Sequence, residues 1–309
     1  MSPDGRYLTY ASSTANVAEN NPASIVNIFL RDTCNGSPAG CTPQTVLNSQ
    51  SSAGVIGNER SDPSVVNTGG RFVAFQSWST NLFPNDTDTW SEIFLRDTCT
   101  GAPSGCVPST TIESLGLNDA YGNAGLDGTV VPSISSDGRY VAFASDSTNM
   151  APGMTSNVCG YNGNVLVRDT CAGAATACAP ATTWVSLPND GSMPNCGSAN
   201  QSMSADGRFI AFSSMATNLV PGDSFTAGSW LDIFVRDTCV GAPAGCTPST
   251  VRVSVVNYAN NIATQANDIS DYPQISGDGH YVVFMSSSTN LLPSGGNGYQ
   301  MVYLAKTGY

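Results

Sequence analysis

The segment SSDGRYVAFAS at residues 135–145, followed by NVLVRDT at 164–170, contains the pattern that decides the fold. Its Asp-Gly pair predicts a tight hairpin turn, because glycine accepts the positive φ of the turns that match strand twist. The apolar runs YVAFA and VLV lack a clean alternation with polar residues, as expected for strands that are covered on both faces. Each run therefore predicts a buried strand in a sheet.

This pattern recurs along the whole chain. RDTC places its cysteine at 34, 99, 171 and 239, so the period is 65 to 72 residues, which suits a propeller blade better than shorter helical repeats. QMVYLAK at 300–306 is a diverged fifth copy of the second run. The first run returns as SPDGRYLTYAS (2–12), NTGGRFVAFQS (67–77), SADGRFIAFSS (204–214) and SGDGHYVVFMS (276–286). We predict a single domain, 1–309, with repeat units over about 1–61, 62–130, 131–199, 200–271 and 272–309.

Four strands, A to D, are predicted in each unit. In the third unit they are PSISS at 132–136, RYVAFAS, the VLVRD run and TTWVSL. No segment has a helical period with caps, so we expect an all-β protein, a β-propeller of about five four-stranded blades. The chain begins at SPDGR and ends at VYLAKTGY, which predicts a first blade without strand A and a last blade without strand D.

Ten cysteines are spaced so regularly that they predict five disulfides. Zinc sites usually combine C-x2-C or C-x4-C pairs with histidines, whereas this chain has C-x6-C pairs and one histidine, His280. Disulfides persist in oxidising compartments, so we expect an extracellular or cell-surface protein. The expected pairs are Cys34–Cys41, Cys99–Cys106, Cys171–Cys178, Cys239–Cys246 and, between two longer loops, Cys159–Cys196.

The charge balance argues against several partners. Acidic residues number 23 against 11 basic ones, and Lys306 is the only lysine, so we predict no nucleic-acid partner. No stretch approaches the roughly 18 consecutive apolar residues of a membrane span. The start MSPDGRYLTY has neither the basic nor the apolar region of a signal peptide, and we expect that Met1 is not the natural start of the precursor.

Two motifs carry a family resemblance. The string TNLVPGD at 217–223 followed by DIFVRDT, together with the recurring S-x-DGR-[YF]-[VI]-A-F, resembles the TolB-like, WD-type propeller repeats of secreted bacterial proteins. The resemblance covers nearly the whole chain and implies the propeller fold. It implies little about function, because such propellers serve as scaffolds, binding modules and enzyme appendages. The C-x6-C loop departs from the short polar turn that is common in the family.

Strand alternation assigns the loops to two ends of the blades. The A–B turns and the cysteine loops share one end, and the longer, divergent B–C and D–A loops share the other, where binding commonly evolves. Aromatic residues in these long loops could stack on sugar rings, anchor a protein interface or fill the loops themselves. These aromatic candidates are Trp78, Trp90, Tyr121, Tyr161, Phe225, Trp230, Tyr258 and Tyr272.

No catalytic constellation is recognisable, and we predict a protein that is not an enzyme. His280 replaces the arginine of a DGR turn at the repetitive end of the blades, away from the long loops. The remaining route is a carboxylate pair, Asp62 and Asp271, placed ahead of strand A. An aspartate at that position also commonly caps a turn.

Calcium is the one cofactor with candidate ligands. In PNDTDTWSE, oxygen-bearing side chains alternate as they do in calcium loops, although the turn glycine of the best loops is missing. A solvated acidic loop is the alternative interpretation. The ligands would be Asn85, Asp86, Asp88 and Glu92, and the fourth unit retains Asp223 and Asp232.

Two classes of function fit this sequence. The first is a structural protein that assembles head-to-tail with copies of itself, or attaches to a surface, when a neighbour adds a strand to the open edge of the last blade. The second is a carbohydrate-binding or carbohydrate-processing propeller that uses the long loops. The candidate edge consists of Gln300, Met301, Val302, Tyr303 and Leu304.

Overall fold

The computed structural model describes residues 1–18, 21, 24–86, 89–126, 128, 131–155, 159, 163–174, 177–224, 231–256 and 264–309. Strands dominate these residues, and a 3-10 turn occurs at Leu117–Asp119. No helix in these ranges has the length and hydropathy that a membrane crossing requires.

The strands form five meander sheets, in which each strand pairs with its neighbours in sequence. The first sheet consists of β1 (Tyr7–Ser12), β2 (Asn27–Asp32) and β3 (Gln44–Leu47). The second consists of β4 (Ser61–Val66), β5 (Phe72–Ser77), β6 (Glu92–Asp97) and β7 (Ser109–Ile112). The third consists of β8 (Ser133–Ile134), β9 (Tyr140–Ser145), β10 (Asn164–Asp169) and β11 (Ala181–Trp184). The fourth consists of β12 (Ser198–Met203), β13 (Phe209–Ser214), β14 (Asp232–Asp237) and β15 (Ser249–Arg252), and the fifth of β16 (Ser270–Ile275), β17 (Tyr281–Ser286) and β18 (Met301–Lys306).

These sheets are the blades of a β-propeller, and the predicted fold class is confirmed. The first sheet has strands B, C and D, and the last has strands A, B and C, as expected. Aromatic pairs join the two central strands of several sheets. Phe75 stacks on Phe94 with ring centroids 5.7 Å apart, and Phe212 stacks on Phe234 at 5.9 Å. Such cross-strand pairs stabilise the sheet from its centre.

The chain divides into two compact units, Met1–Phe143 with Arg168–Thr182, and Ala144–Val167 with Thr183–Tyr309. In each unit, one face of a sheet packs on the opposite face of the next sheet. Unit 1 buries Tyr7, Ile28 and Leu30 of the first sheet against the second. Unit 2 buries a matching set of the fourth sheet against the fifth: Phe209, Ala211, Ile233 and Val235 against Val282, Phe284 and Tyr303.

The structure contains the five expected disulfides, and no free cysteine occurs in its described residues. A repeated ion pair fixes each short hairpin at its base. Asp97 accepts the N–H of Cys99 at 2.8 Å and also binds Arg71 of the DGR-type turn, whose Nη2 lies 2.8 Å from Asp97 Oδ2. The pairs Arg6–Asp32, Arg139–Asp169 and Arg208–Asp237 repeat this arrangement. The recurring DGR and RDT motifs therefore serve the scaffold.

Candidate functional site

The long-loop end of the blades is held by a hydrogen-bonded frame that recurs in three sheets. Asn58, ahead of β4, donates from Nδ2 to Thr80 Oγ1 at 3.1 Å and accepts the N–H of Thr80 at 3.0 Å. Asn81 closes the frame by donating to the carbonyl of Ile56 at 2.9 Å. The equivalent frames join Asn195 to Thr217 and Asn218, and Asn267 to Thr289 and Asn290. The Thr-Asn motif therefore ties the B–C loop to the D–A loop and presents a rigid rim.

A groove of about 510 Å³ opens on this rim in the second sheet. Trp78 is half-buried in its wall, and the Arg60 guanidinium lies over the indole with Cζ 5.6 Å from the ring centroid. Arg60 also pairs with Asp62 at 2.8 Å. The lining residues are Asn58, Glu59, Arg60, Trp78, Thr80 and Thr89. The groove thus combines an aromatic surface with hydrogen-bonding groups of both charges.

Trp78 and Arg60, which line this groove, differ from their counterparts in other sheets. The N–H of Trp78 donates to the carbonyl of Arg60 at 2.9 Å, which fixes the pair at the entry to β4. The same backbone hydrogen bond joins Met215 to Gly197 and Ser287 to Ile269. Those pairs lack both the large aromatic ring and the guanidinium, so the second sheet differs here from the fourth and the fifth.

The other predicted aromatics have different environments. Trp90 is 51% exposed and packs over Gly125, where an added Cβ would lie 2.8 Å from the indole. Tyr121 is half-buried and packs against the core of unit 1. Tyr272 is 57% exposed and has a left-handed backbone, with φ of 54°, at the irregularity in β16. Tyr161, Phe225, Trp230 and Tyr258 lie outside the described residues.

The calcium candidates of the second sheet are only partly described, since Asp88 lies outside the described residues and Asn85 is exposed. Asp86 and Glu92 are both buried, and Glu92 accepts a short hydrogen bond from the Ser114 hydroxyl. In the described part of the chain, the clusters with three ligand-type side chains close together are the Asp–Cys–Cys sets of the short hairpins, whose sulfurs form disulfides. Calcium binding remains a prediction.

Asp223 and Asp232 come together in a buried ionic cluster of unit 2. Arg252 Nη1 lies 2.7 Å from Asp223 Oδ1, while Asp232 accepts hydrogen bonds from Ser254 and Gln265, each at 2.6 Å. Burial raises the pKa of Asp232 to about 6, and it also raises the pKa of Asp223. Protein donors thus engage both aspartates that the sequence offered as further calcium ligands.

Unit 1 contains its own buried carboxylate, Glu113. It accepts a hydrogen bond from Thr111 Oγ1 at 2.6 Å and lies 3.8 Å from Arg168 Nε. Arg168 also contacts Asp119 at 3.4 Å. Burial raises the pKa of Glu113 to about 7, against the opposing effects of Thr111 and Arg168. Sequence inspection did not select Glu113, because the burial of this position is set by packing.

The carboxylates that the sequence offered for catalysis have partners within their own units. Asp62 pairs with Arg60 in unit 1, and Asp271 accepts a hydrogen bond from Asn200 Nδ2 at 2.8 Å in unit 2. His280 is exposed and lies 3.1 Å from Asp278, in the turn between β16 and β17. Each of these groups is bonded to a neighbour in a turn or strand entry.

The last sheet exposes one apolar face. Val302 is 68% exposed and Leu304 66%, and Val283 on the neighbouring strand is 40% exposed. Tyr303 points the other way, is buried, and donates its hydroxyl to the carbonyl of Ser288 at 3.1 Å. Gln300 and Met301 are exposed at the start of the strand. Among the described residues, β18 pairs with β17 alone, so its outer backbone edge is open.

No family model and no curated protein matches this chain. Among solved structures, it is similar to TolB from Acinetobacter baumannii, with 16% identity over 98% of this chain and 50% of that one, at a TM-score of 0.44. It is also similar to the tricorn protease, with 12% identity over 91% of this chain and 22% of that one, at a TM-score of 0.46. The β-propeller domain of the Trilobed protease from Pyrococcus furiosus has 10% identity over 97% of this chain and 66% of that one, at a TM-score of 0.41. The chain therefore spans less than two thirds of the length of each of these proteins.

Proposed function

We propose that this chain is a non-enzymatic, extracellular or cell-surface interaction protein that assembles head-to-tail with copies of itself. The observation that carries the proposal is the exposed apolar face of the fifth sheet, formed by Tyr281, Val283, Val302 and Leu304. The five disulfides support an oxidising compartment. The assembly role needs no catalytic group.

The repeat itself indicates what such a face binds. In the fourth sheet, the equivalent positions are Ala211, Ile233 and Val235, and each has no exposed surface because the fifth sheet packs over it. Val302 and Leu304 keep apolar side chains at the last two of these positions, yet both are more than half exposed. Exposed apolar patches of this kind typically mark association surfaces. A further sheet of the same repeat fits this face.

A second copy of the chain offers the complementary surface. In the sheet pair described for each unit, the partner face carries the alternate residues of strands B and C, such as Val73 and Phe75 in the second sheet. In the first sheet these alternate positions are Leu8, which is 39% exposed, Tyr10, which is half-buried, and Phe29, which is buried against Tyr10. Docking the first sheet of one copy on the fifth sheet of another would reproduce the face-to-face packing between consecutive sheets that is seen within each unit. The open edge of β18 adds backbone groups that can pair with an incoming strand.

Light scattering after size-exclusion chromatography tests the assembly over a concentration series. We expect the mass of the wild-type protein to rise with concentration, and the double variant Val302→Lys with Leu304→Lys to stay monomeric. Val107→Lys is the matched control, because Val107 is 76% exposed directly after a cysteine loop and belongs to neither face. Circular dichroism verifies that each variant is folded.

A mixing experiment tests the head-to-tail geometry. Leu8→Lys blocks the opposite face, so this variant should also be monomeric alone. Mixed with the Val302→Lys, Leu304→Lys variant, it should form a one-to-one dimer and nothing larger, because each partner retains one intact face. A wild-type protein that stays monomeric at every concentration, or a double variant that associates like the wild type, would overturn the proposal.

A further inference from the structure

We infer that the groove around Trp78 is a binding site for a neutral saccharide, in which a sugar ring packs on the indole. This site lies in unit 1 and does not depend on the assembly proposed above. Its volume of about 510 Å³ falls within the range of roughly 300–1,000 Å³ that is typical of small-ligand sites. Its residues lie on the long-loop end, where strand alternation predicted binding.

The aromatic wall fits the apolar face of a pyranose. Trp78 is half-buried, so packing fixes part of the indole while the rest faces the groove. An indole offers a large, rigid surface at low conformational cost, and the C–H face of a sugar ring can stack on it. The Arg60 guanidinium lies over the indole, with Cζ 5.6 Å from the ring centroid, and supplies N–H donors beyond the one that binds Asp62, which leaves the opposite face of the indole for the sugar ring.

The polar groups of the groove match vicinal hydroxyls. Within the described residues, the Glu59 carboxylate has no hydrogen-bond or ion-pair partner, although its backbone N–H is bound by Ser79 Oγ at 3.0 Å. A free carboxylate accepts hydrogen bonds from two hydroxyl groups, and a guanidinium donates hydrogen bonds to two hydroxyl oxygens through its paired N–H groups. Thr89 adds an exposed hydroxyl. These groups provide the orientation that an indole alone cannot give.

The rim is organised before a ligand arrives. Asn58 and Thr80 are locked by two reciprocal hydrogen bonds, and the backbone of Trp78 is bound to that of Arg60. A preformed site loses less conformational entropy on binding than a mobile loop does. The preformed rim therefore favours binding in the groove over an adventitious surface contact.

The charges select the class of saccharide. Arg60 is neutralised by Asp62, so Glu59 leaves the groove with a negative charge, and the whole protein has a formal net charge of −12. A field of that sign disfavours uronates, sialates and sulfated sugars. A neutral oligosaccharide has no such penalty and gains from donors and acceptors of both kinds. The proposed ligand is therefore an uncharged hexose-based glycan.

Calorimetric titration with neutral oligosaccharides built on glucose, galactose, mannose or N-acetylglucosamine tests the site. At least one of these probes should bind the wild-type protein and give saturation-transfer NMR signals from its ring protons. Trp78→Ala should weaken that binding about tenfold or more, and Glu59→Gln about threefold to tenfold. Trp90→Ala is the control, because Trp90 is exposed in the same unit and does not line the groove, and its effect should stay within about twofold.

Two further measurements keep the test decisive. Unfolding temperatures show whether Trp78→Ala is folded, and Trp78→Phe, which keeps an aromatic ring, should retain part of the affinity. If Trp78→Ala is unfolded, the Glu59→Gln variant decides, because Glu59 is exposed and its carboxylate supports no other residue. The inference is overturned if none of the probes binds the wild-type protein at millimolar concentration, or if Trp90→Ala weakens binding as much as the groove variants do.

Discussion

Replacing the glycine of a DGR turn should destabilise the protein most where the turn touches a preceding sheet. Gly138 has φ of +83°, and a Cβ built on it would lie 2.2 Å from Cδ2 and 2.6 Å from Cγ of Phe72. Phe72 begins the second strand of the preceding sheet in unit 1. The clash involves the part of the ring nearest its backbone, so a small rotation of the side chain cannot remove it.

The first repeat provides a control for this position. Gly5 occupies the same turn with φ of +73°, but its nearest neighbour would be Asn35 Nδ2 at 3.5 Å, an ordinary contact. Gly5→Ala should therefore lower the free energy of unfolding only by the cost of placing alanine in a left-handed conformation, roughly 1–2 kcal/mol. Gly138→Ala adds overpacking of about 1–3 kcal/mol, which gives a total of about 2–5 kcal/mol.

Urea unfolding of the oxidised protein measures the difference. The midpoint should fall further for Gly138→Ala than for Gly5→Ala, at an unchanged m-value. Phe72→Ala removes Cγ and Cδ2, the two atoms nearest the added Cβ, so a double-mutant cycle with Gly138→Ala should show a coupling that recovers most of the steric part of the loss. Equal losses for the two glycine variants, or a cycle without coupling, would refute the reasoning.

Two further predictions concern disulfides and pH. Paired serine substitution of Cys159–Cys196 should lower the free energy of unfolding by about 4 kcal/mol, and that of Cys99–Cys106 by about 2.5 kcal/mol, because the sequence separations are 37 and 7. Urea unfolding measures both losses. A larger loss for Cys99–Cys106 would contradict the loop-entropy explanation. Burial raises the pKa of Glu113 to about 7 in the folded state, whereas the unfolded state has an ordinary glutamate pKa. Between about pH 5 and 7, the folded protein therefore keeps a proton on Glu113 that the unfolded chain has released. Stability should therefore fall as the pH rises through that window. Glu113→Gln should remove this part of the decline in unfolding temperature, and an unchanged slope in the variant would show that other groups cause it.

The local pattern of the sequence predicted most of the fold. The run RYVAFAS at 139–145 coincides with Tyr140–Ser145, and the Asp-Gly pair before it forms the expected turn, with Gly138 at positive φ. The Cys99–Cys106 hairpin and its three equivalents were predictable for the same reason, since their spacing is local. The pairing of Cys159 with Cys196 needed one more step, which was the assignment of loops to ends by strand alternation.

Contacts between sheets could not be predicted in this way. The contact of Gly138 with Phe72 joins two repeats, and the sequence gives no local sign of it. Tyr303 was grouped with the exposed edge, yet alternation along β18 turns its side chain into the core of unit 2. The groove at Trp78 depends on Asn58 and Thr80 meeting across two loops, so the sequence could suggest the aromatic residue but not its polar neighbours.

Differences between the repeats locate function better than their similarities do. The motifs that recur have structural roles, since Arg71 binds Asp97 and the Thr-Asn pair ties two loops together. Where one repeat has a different residue, that residue is not explained by a structural role that all the repeats share. Trp78 stands where the other repeats have serine, aspartate or methionine, and it opens onto a groove. Val302 keeps the apolar character of its repeat position but is 68% exposed, and burial of this side chain against another surface would be favourable in water. We therefore propose different ligands for the groove and the apolar face, a glycan and a second copy of the chain, and we expect a substitution at one site to leave the other unchanged.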